Sequence, residues 1–71
     1  MIGVDGINYI DSKLMAGKAG LNVSIYAANG QLVAAGVTDA DGNYDVEKLP
    51  AGTYVAVINA DGKTKTLKFI R

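Results

Sequence analysis

The densest run of side chains able to bind or activate anything is Asp39-Ala40-Asp41-Gly42-Asn43-Tyr44-Asp45-Val46-Glu47. Asp39, Asp41 and Asn43 place oxygen donors at the spacing that opens a calcium-binding loop. The rest of such a loop is missing. Tyr44 stands where a glycine must make the sharp turn, and Pro50 where a bidentate glutamate must close the site. Acidic residues at alternate positions after Asn43 are also what a solvent-facing strand edge needs, so the run reads as a turn with a charged outer face.

Other chemistry is poorly supplied. The chain has neither histidine nor cysteine, which removes a Ser-His-Asp triad, a thiolate nucleophile, a disulfide and a thiolate metal ligand together. Paired acid and base catalysis needs two carboxylates held in a pocket with different proton affinities. The carboxylates here fall in turns or on outward-facing strand positions, and Ser12 and Ser24 read as surface hydroxyls. Lys13, Asn22, Asn59 and Glu47 could supply a Lys-to-Asn cross-link beside a carboxylate, but nothing in their spacing singles them out. The expectation is a protein that is not an enzyme and carries no cofactor or metal.

Two further groups are candidates for recognition rather than catalysis. Lys63, Lys65, Lys68 and Arg71 form a basic stretch with no acid after Asp61. It is either a solvated outer face, in which lysine keeps an edge strand from pairing with other chains, or a surface that a partner reads. Tyr26, Tyr44 and Tyr54 read as core or half-buried packing residues, not as a ligand cage.

The elements that must position these groups are strands. Leu21, Val23, Ile25 and Ala27 alternate with Asn22, Ser24 and Tyr26, the period of two expected of a strand with one face in a core. Asn29-Gly30 follows at once and predicts a two-residue type I′ hairpin pairing Ala27 with Leu32 and Ile25 with Ala34. The polar cluster 38–43 turns the chain into a short strand at Tyr44-Asp45-Val46, with Tyr44 and Val46 on one face. Leu49-Pro50-Ala51-Gly52 breaks it, because proline has no amide to donate to a ladder. Tyr54 to Ile58 is apolar enough to predict a central strand. Asp61-Gly62 then predicts a hairpin pairing Ala56 with Leu67 and Tyr54 with Phe69. Before Leu21, Ile7 to Ile10 and Leu14-Met15 are the candidate strands, and no helix is expected over 11–19.

Residues 1–71 are expected to form a single all-β domain, an immunoglobulin-like β-sandwich of about six or seven short antiparallel strands. Charges balance at seven acidic and seven basic residues, so the totals give no support to nucleic-acid or anionic-membrane binding. No signal peptide or segment of membrane-spanning length is visible, so export would require a signal on a longer precursor.

Three segments resemble one family in order. Val23-Ser24-Ile25-Tyr26-Ala27-Ala28-Asn29-Gly30-Gln31-Leu32-Val33 is similar to its strand, Asn-Gly, Gln-Leu-Val hairpin. Leu49-Pro50-Ala51-Gly52-Thr53-Tyr54-Val55-Ala56-Val57 is similar to its central motif. Asn59-Ala60-Asp61-Gly62-Lys63-Thr64-Lys65-Thr66-Leu67-Lys68-Phe69-Ile70-Arg71 is similar to its terminal hairpin and basic end. Over residues 21–71 the chain resembles the C-terminal sorting domains of the type IX secretion system of Bacteroidetes.

That resemblance implies a non-catalytic secretion signal that directs a covalently attached upstream cargo across the outer membrane. The implied partners are the outer-membrane translocon and a sortase-like peptidase, with passage through the periplasm to the cell surface or medium. It also implies that Gly52, Tyr54, Gly62, Lys63, Lys65, Lys68 and Arg71 serve translocon recognition, and that removing the last few residues blocks export while most of the fold survives. Weak self-association through exposed strand edges stays open. Separately, Val37-Thr38-Asp39-Ala40-Asp41-Gly42-Asn43-Tyr44 resembles the Thr-Asp-x-x-Gly-x-Tyr hairpin of prealbumin-like and carboxypeptidase regulatory-like modules. The alternative function is therefore a structural or adhesive spacer in a surface protein.

Overall fold

Alternating apolar residues have to hide one face of every strand, and two sheets laid face to face do this for the whole chain. The computed structural model describes residues 2–4 and 6–71, with side chains from residue 6 onward. Among these residues there are eight strands and no helix. One sheet has the order β1-β2-β3-β6, built from β1 (Ile2–Val4), β2 (Ile7–Ile10), β3 (Lys13–Met15) and β6 (Asn43–Asp45). The other has the order β5-β4-β7-β8, built from β4 (Asn22–Ala27), β5 (Leu32–Val37), β7 (Thr53–Ala60) and β8 (Lys63–Ile70). All neighbours are antiparallel. The β-sandwich is as expected, and β1 is the strand that the glycine-rich opening concealed.

The central position expected for the Tyr54 segment is correct: β7 lies between β4 and β8, with Tyr54, Ala56 and Ile58 buried. They meet Val23, Ile25, Leu67 and Phe69 from their own sheet, and Ile7, Leu14 and Val46 from the facing layer. Phe69 is the largest side chain with no solvent exposure. Its ring lies 4.8 Å from that of Tyr9 and 5.7 Å from that of Tyr54, so aromatic contact joins both sheets. Tyr54 directs its hydroxyl to the Pro50 carbonyl at 2.7 Å, which satisfies the one polar atom of a buried ring.

The hairpin at Asn29-Gly30 departs from the expectation. The Gly30 amide donates to the Ala27 carbonyl, and the Ala27 amide donates to the Gln31 carbonyl, both at 2.9 Å. Gly30 has φ +86° while Asn29 is not left-handed, so the loop is three residues ending in a left-handed glycine rather than a type I′ pair. Asn29 instead accepts the Gln31 amide through Oδ1 at 3.0 Å, a side-chain mimic of a turn bond. Ile25 does pair with Ala34, but Tyr26 pairs with Leu32. Val33 is the extra residue of a bulge, and a shift of one residue exchanges faces. Leu32 therefore joins Tyr26 on the outer face and is 52% exposed, where an unbroken register would have put it beside Ala27.

The bend expected after Thr38 is held by the residues that the sequence makes conspicuous. Thr38, 3% exposed, donates its hydroxyl to the Lys18 carbonyl at 2.6 Å and accepts the Leu21 amide at 2.9 Å. Asp39 Oδ1 accepts the amides of Asp41 and Asn43 at 3.0 and 2.9 Å. Gly42 has φ +80°, and a Cβ there would stand 2.5 Å from the Lys18 nitrogen and 2.7 Å from the Gly17 carbonyl carbon. The Thr-Asp-x-x-Gly pattern is thus the chemistry of one tight crossing between the sheets.

Candidate functional site

The basic terminal hairpin is the region to which the sequence assigns recognition, and its backbone is well determined by local chemistry. Asp61 and Gly62 have φ +52° and +78°, the pair of left-handed residues that a type I′ turn requires. The expected register follows, with Tyr54 opposite Phe69 and Ala56 opposite Leu67. At the tip, Lys18 Nζ lies 2.8 Å from Asp61 Oδ1. The hydrogen bond from Lys18, its charge, and then that of Lys65 hold the Asp61 carboxyl below its ordinary value. Lys18 was not among the residues the sequence singled out, since 43 positions of chain separate it from Asp61.

The seven residues assigned to recognition do not form one patch. Leu67 and Phe69 face the core, so alternation puts Lys63 and Lys65 on the core-side row and Lys68 on the outer face. Lys63 and Lys68 are exposed, and Lys65 is half-buried. From Lys65 to Arg71 is six residues of nearly extended chain, roughly 20 Å. Tyr54 is buried in the core. Gly52 pairs with Arg71 through the backbone, the Arg71 amide donating to the Gly52 carbonyl at 2.8 Å and the Gly52 amide returning a 3.3 Å bond.

Arg71 is the residue whose placement the sequence least prepares for. Its guanidinium reaches across to the facing layer: one terminal nitrogen donates to Ser12 Oγ at 2.5 Å, the other to the Glu47 carbonyl at 2.6 Å, and Nε to the Leu49 carbonyl at 3.3 Å. A rigid planar fork suits three acceptors set around it in a way a lysine ammonium does not. Ser12, read from sequence as a surface hydroxyl, is half-buried and sits in the β2–β3 turn with φ +62°. Its carbonyl also accepts the Val46 amide at 2.9 Å. Arg71, Ser12 and the 46–49 segment thus tie the end of β8 to the opposite sheet. The expectation that the last few residues are dispensable for the fold is corrected on this ground, because such a truncation also removes Phe69.

The remaining candidates resolve simply. Asp39 and Asp45 spend carboxylate oxygens on backbone amides, the latter on Glu47 at 2.8 Å, and no cluster of three or more metal-binding side chains occurs among the described residues. Lys13, Asn22, Asn59 and Glu47 are all exposed. Asn22 and Asn59 face each other across β4 and β7, whereas Lys13 lies opposite Asp45 in the other sheet. Tyr26 and Tyr44 are half-buried, as expected.

A family model for secretion system C-terminal sorting domains matches residues 4–71. The chain belongs to this family. The match starts well before Leu21, so β2 and β3, outside the resemblance seen in the sequence, are part of the family pattern, and it runs through the Thr38–Tyr44 segment that suggested a spacer module. Searches among curated proteins and among solved structures returned no match. The sorting domain is a non-catalytic secretion signal of the type IX system, which carries an upstream cargo through the periplasm to the cell surface or medium.

Proposed function

We propose that the translocon reads this sorting domain through the β7–β8 hairpin, with Lys63, Lys65 and Lys68 presenting the charge it recognises. In this reading Gly52, Tyr54, Gly62 and Arg71 act by holding the hairpin against the facing sheet. The observation that supports the division is the contrast between exposed Lys63 and Lys68 and the Arg71 guanidinium, which is spent on Ser12, Glu47 and Leu49. Charge spread along a strand favours fast, oriented encounter more than tight binding. A sortase-like peptidase of the same system then separates the domain from its cargo, a step supported by family membership alone.

The test is export of a signal-peptide reporter carrying residues 1–71 at its C-terminus, in a type IX-competent strain and its translocon-deficient twin. The Lys63→Ala/Lys68→Ala double variant is expected to fold with unchanged thermal midpoint yet to accumulate in the periplasm. Export equal to the parent would remove these lysines from the recognition surface.

A further inference from the structure

The border of the sandwich opposite the basic hairpin is open in a way the sorting role does not use. β5 ends its sheet and β6 ends the other, so at this border both sheets present unpaired backbone. β5 reads Leu32-Val33-Ala34-Ala35-Gly36-Val37, without a single charge or proline to discourage pairing. β8, the other edge of the same sheet, carries three lysines. The Thr38 amide donates inward to the Leu21 carbonyl at 3.0 Å, and strand alternation then turns the amides of Ala35 and Val37 to the open edge.

Beside that edge lies a cleft of about 440 Å³ bounded by Ala34, Tyr44, Val46 and Leu49, with Asp45, Glu47 and Lys48 at its rim. A strand laid against β5 would point alternate side chains into this cleft. The exposed carboxylates of Asp39 and Asp41 flank one end of β5, and those of Asp45 and Glu47 the other, against the cations of Lys48 and Lys13.

We propose that the β5–β6 border is a strand-accepting site for an extended segment of another polypeptide, with an apolar side chain seated in the cleft and lysine or arginine at its ends. Backbone pairing along β5 supplies the binding, the cleft selects the inward residue, and the acidic flanks select the charge. A second copy of the chain is a poorer occupant: six residues of edge bury far less than the ~1,200 Å² or more typical of a stable pair. The inference does not rest on how the hairpin is read.

The probe is the synthetic peptide Lys-Thr-Val-Thr-Leu-Thr-Val-Lys, titrated into the ¹⁵N-labelled chain at low salt. Amide shifts are expected at Ala35, Val37 and Tyr44, with binding about tenfold weaker for the glutamate-ended twin and absent for a form N-methylated at alternate amides. Ala34→Leu, which fills the cleft, and Ala35→Pro, which removes an edge donor, should each weaken binding by about tenfold. The N-methylated peptide tests the same point on the unaltered chain if the proline variant does not fold. Equal binding by the N-methylated form, shifts centred on β8, or no binding would overturn the proposal. So would β5 signals that broaden with protein concentration before any peptide is added, since the edge would then belong to a second copy.

Discussion

Replacing Arg71 by alanine should destabilise the domain by about 2 kcal/mol, and the figure follows from its contacts. Two bonds are short, to Ser12 Oγ at 2.5 Å and the Glu47 carbonyl at 2.6 Å, and the one to Leu49 at 3.3 Å is weak. Hydrogen bonds to a charged donor contribute roughly 1.5–3 kcal/mol each. Partial exposure argues for the lower end, so the two short bonds amount to about 3 kcal/mol, less about 1 for water that replaces the donor at the carbonyl. A chain of 71 residues has about 4–10 kcal/mol of stability in all, so the loss is a large fraction of the total. With a urea slope near 1 kcal/mol/M, the midpoint of unfolding should fall by about 2 M. Arg71→Lys should recover less than half of this, because a lysine ammonium cannot present the same fork. Lys68→Ala, on the outer face, should stay within about 0.5 kcal/mol. The reasoning fails if Arg71→Ala unfolds like the parent, or if Lys68→Ala shifts the midpoint as far. The comparison also matters for export assays, since a terminal truncation that blocks secretion would report lost folding as readily as lost recognition.

Phe69→Ala should cost about 3–5 kcal/mol and leave a largely unfolded chain by circular dichroism, since this ring fills the core between Tyr9 and Tyr54. Gly42→Ala should cost about 3 kcal/mol or more in urea melts, because its Cβ collides with backbone at Gly17 and Lys18. Gly62→Ala meets no neighbour within 4 Å and should cost only about 1 kcal/mol for its left-handed conformation. Carboxyl NMR should give Asp61 a titration midpoint below 3.8, returned toward that value by Lys18→Ala or by high salt. Because its proton affinity is lowered on folding, whatever the pair adds to stability is present above pH 3.8 and lost as pH falls through the lower folded value.

Local chemistry made much of the architecture legible. Period-two alternation located β4, β7 and β8, and Asp61-Gly62 fixed the register of the last hairpin because both residues accept the left-handed backbone of its turn. Asn29-Gly30 was a weaker guide. The same dipeptide fits a three-residue loop, and the pleat of the neighbouring strand, not the turn, decided that Val33 would bulge. The β2–β3 turn was hidden because Asp11 and Ser12 adopt left-handed conformations without a glycine to announce them.

By itself the sequence determined the all-β class, the absence of histidine and cysteine chemistry, and a family resemblance over 21–71, since residue type and short-range spacing carry all three. Tertiary structure alone decided which terminal cations face solvent and which are spent. Arg71 and Ser12 stand 59 residues apart, Lys18 and Asp61 43 apart, and no local pattern encodes contacts made only when one sheet closes over the other. The same closure left β5 and β6 as neighbouring edges, because a crossing between layers at Gly42 put two short strands at the same border.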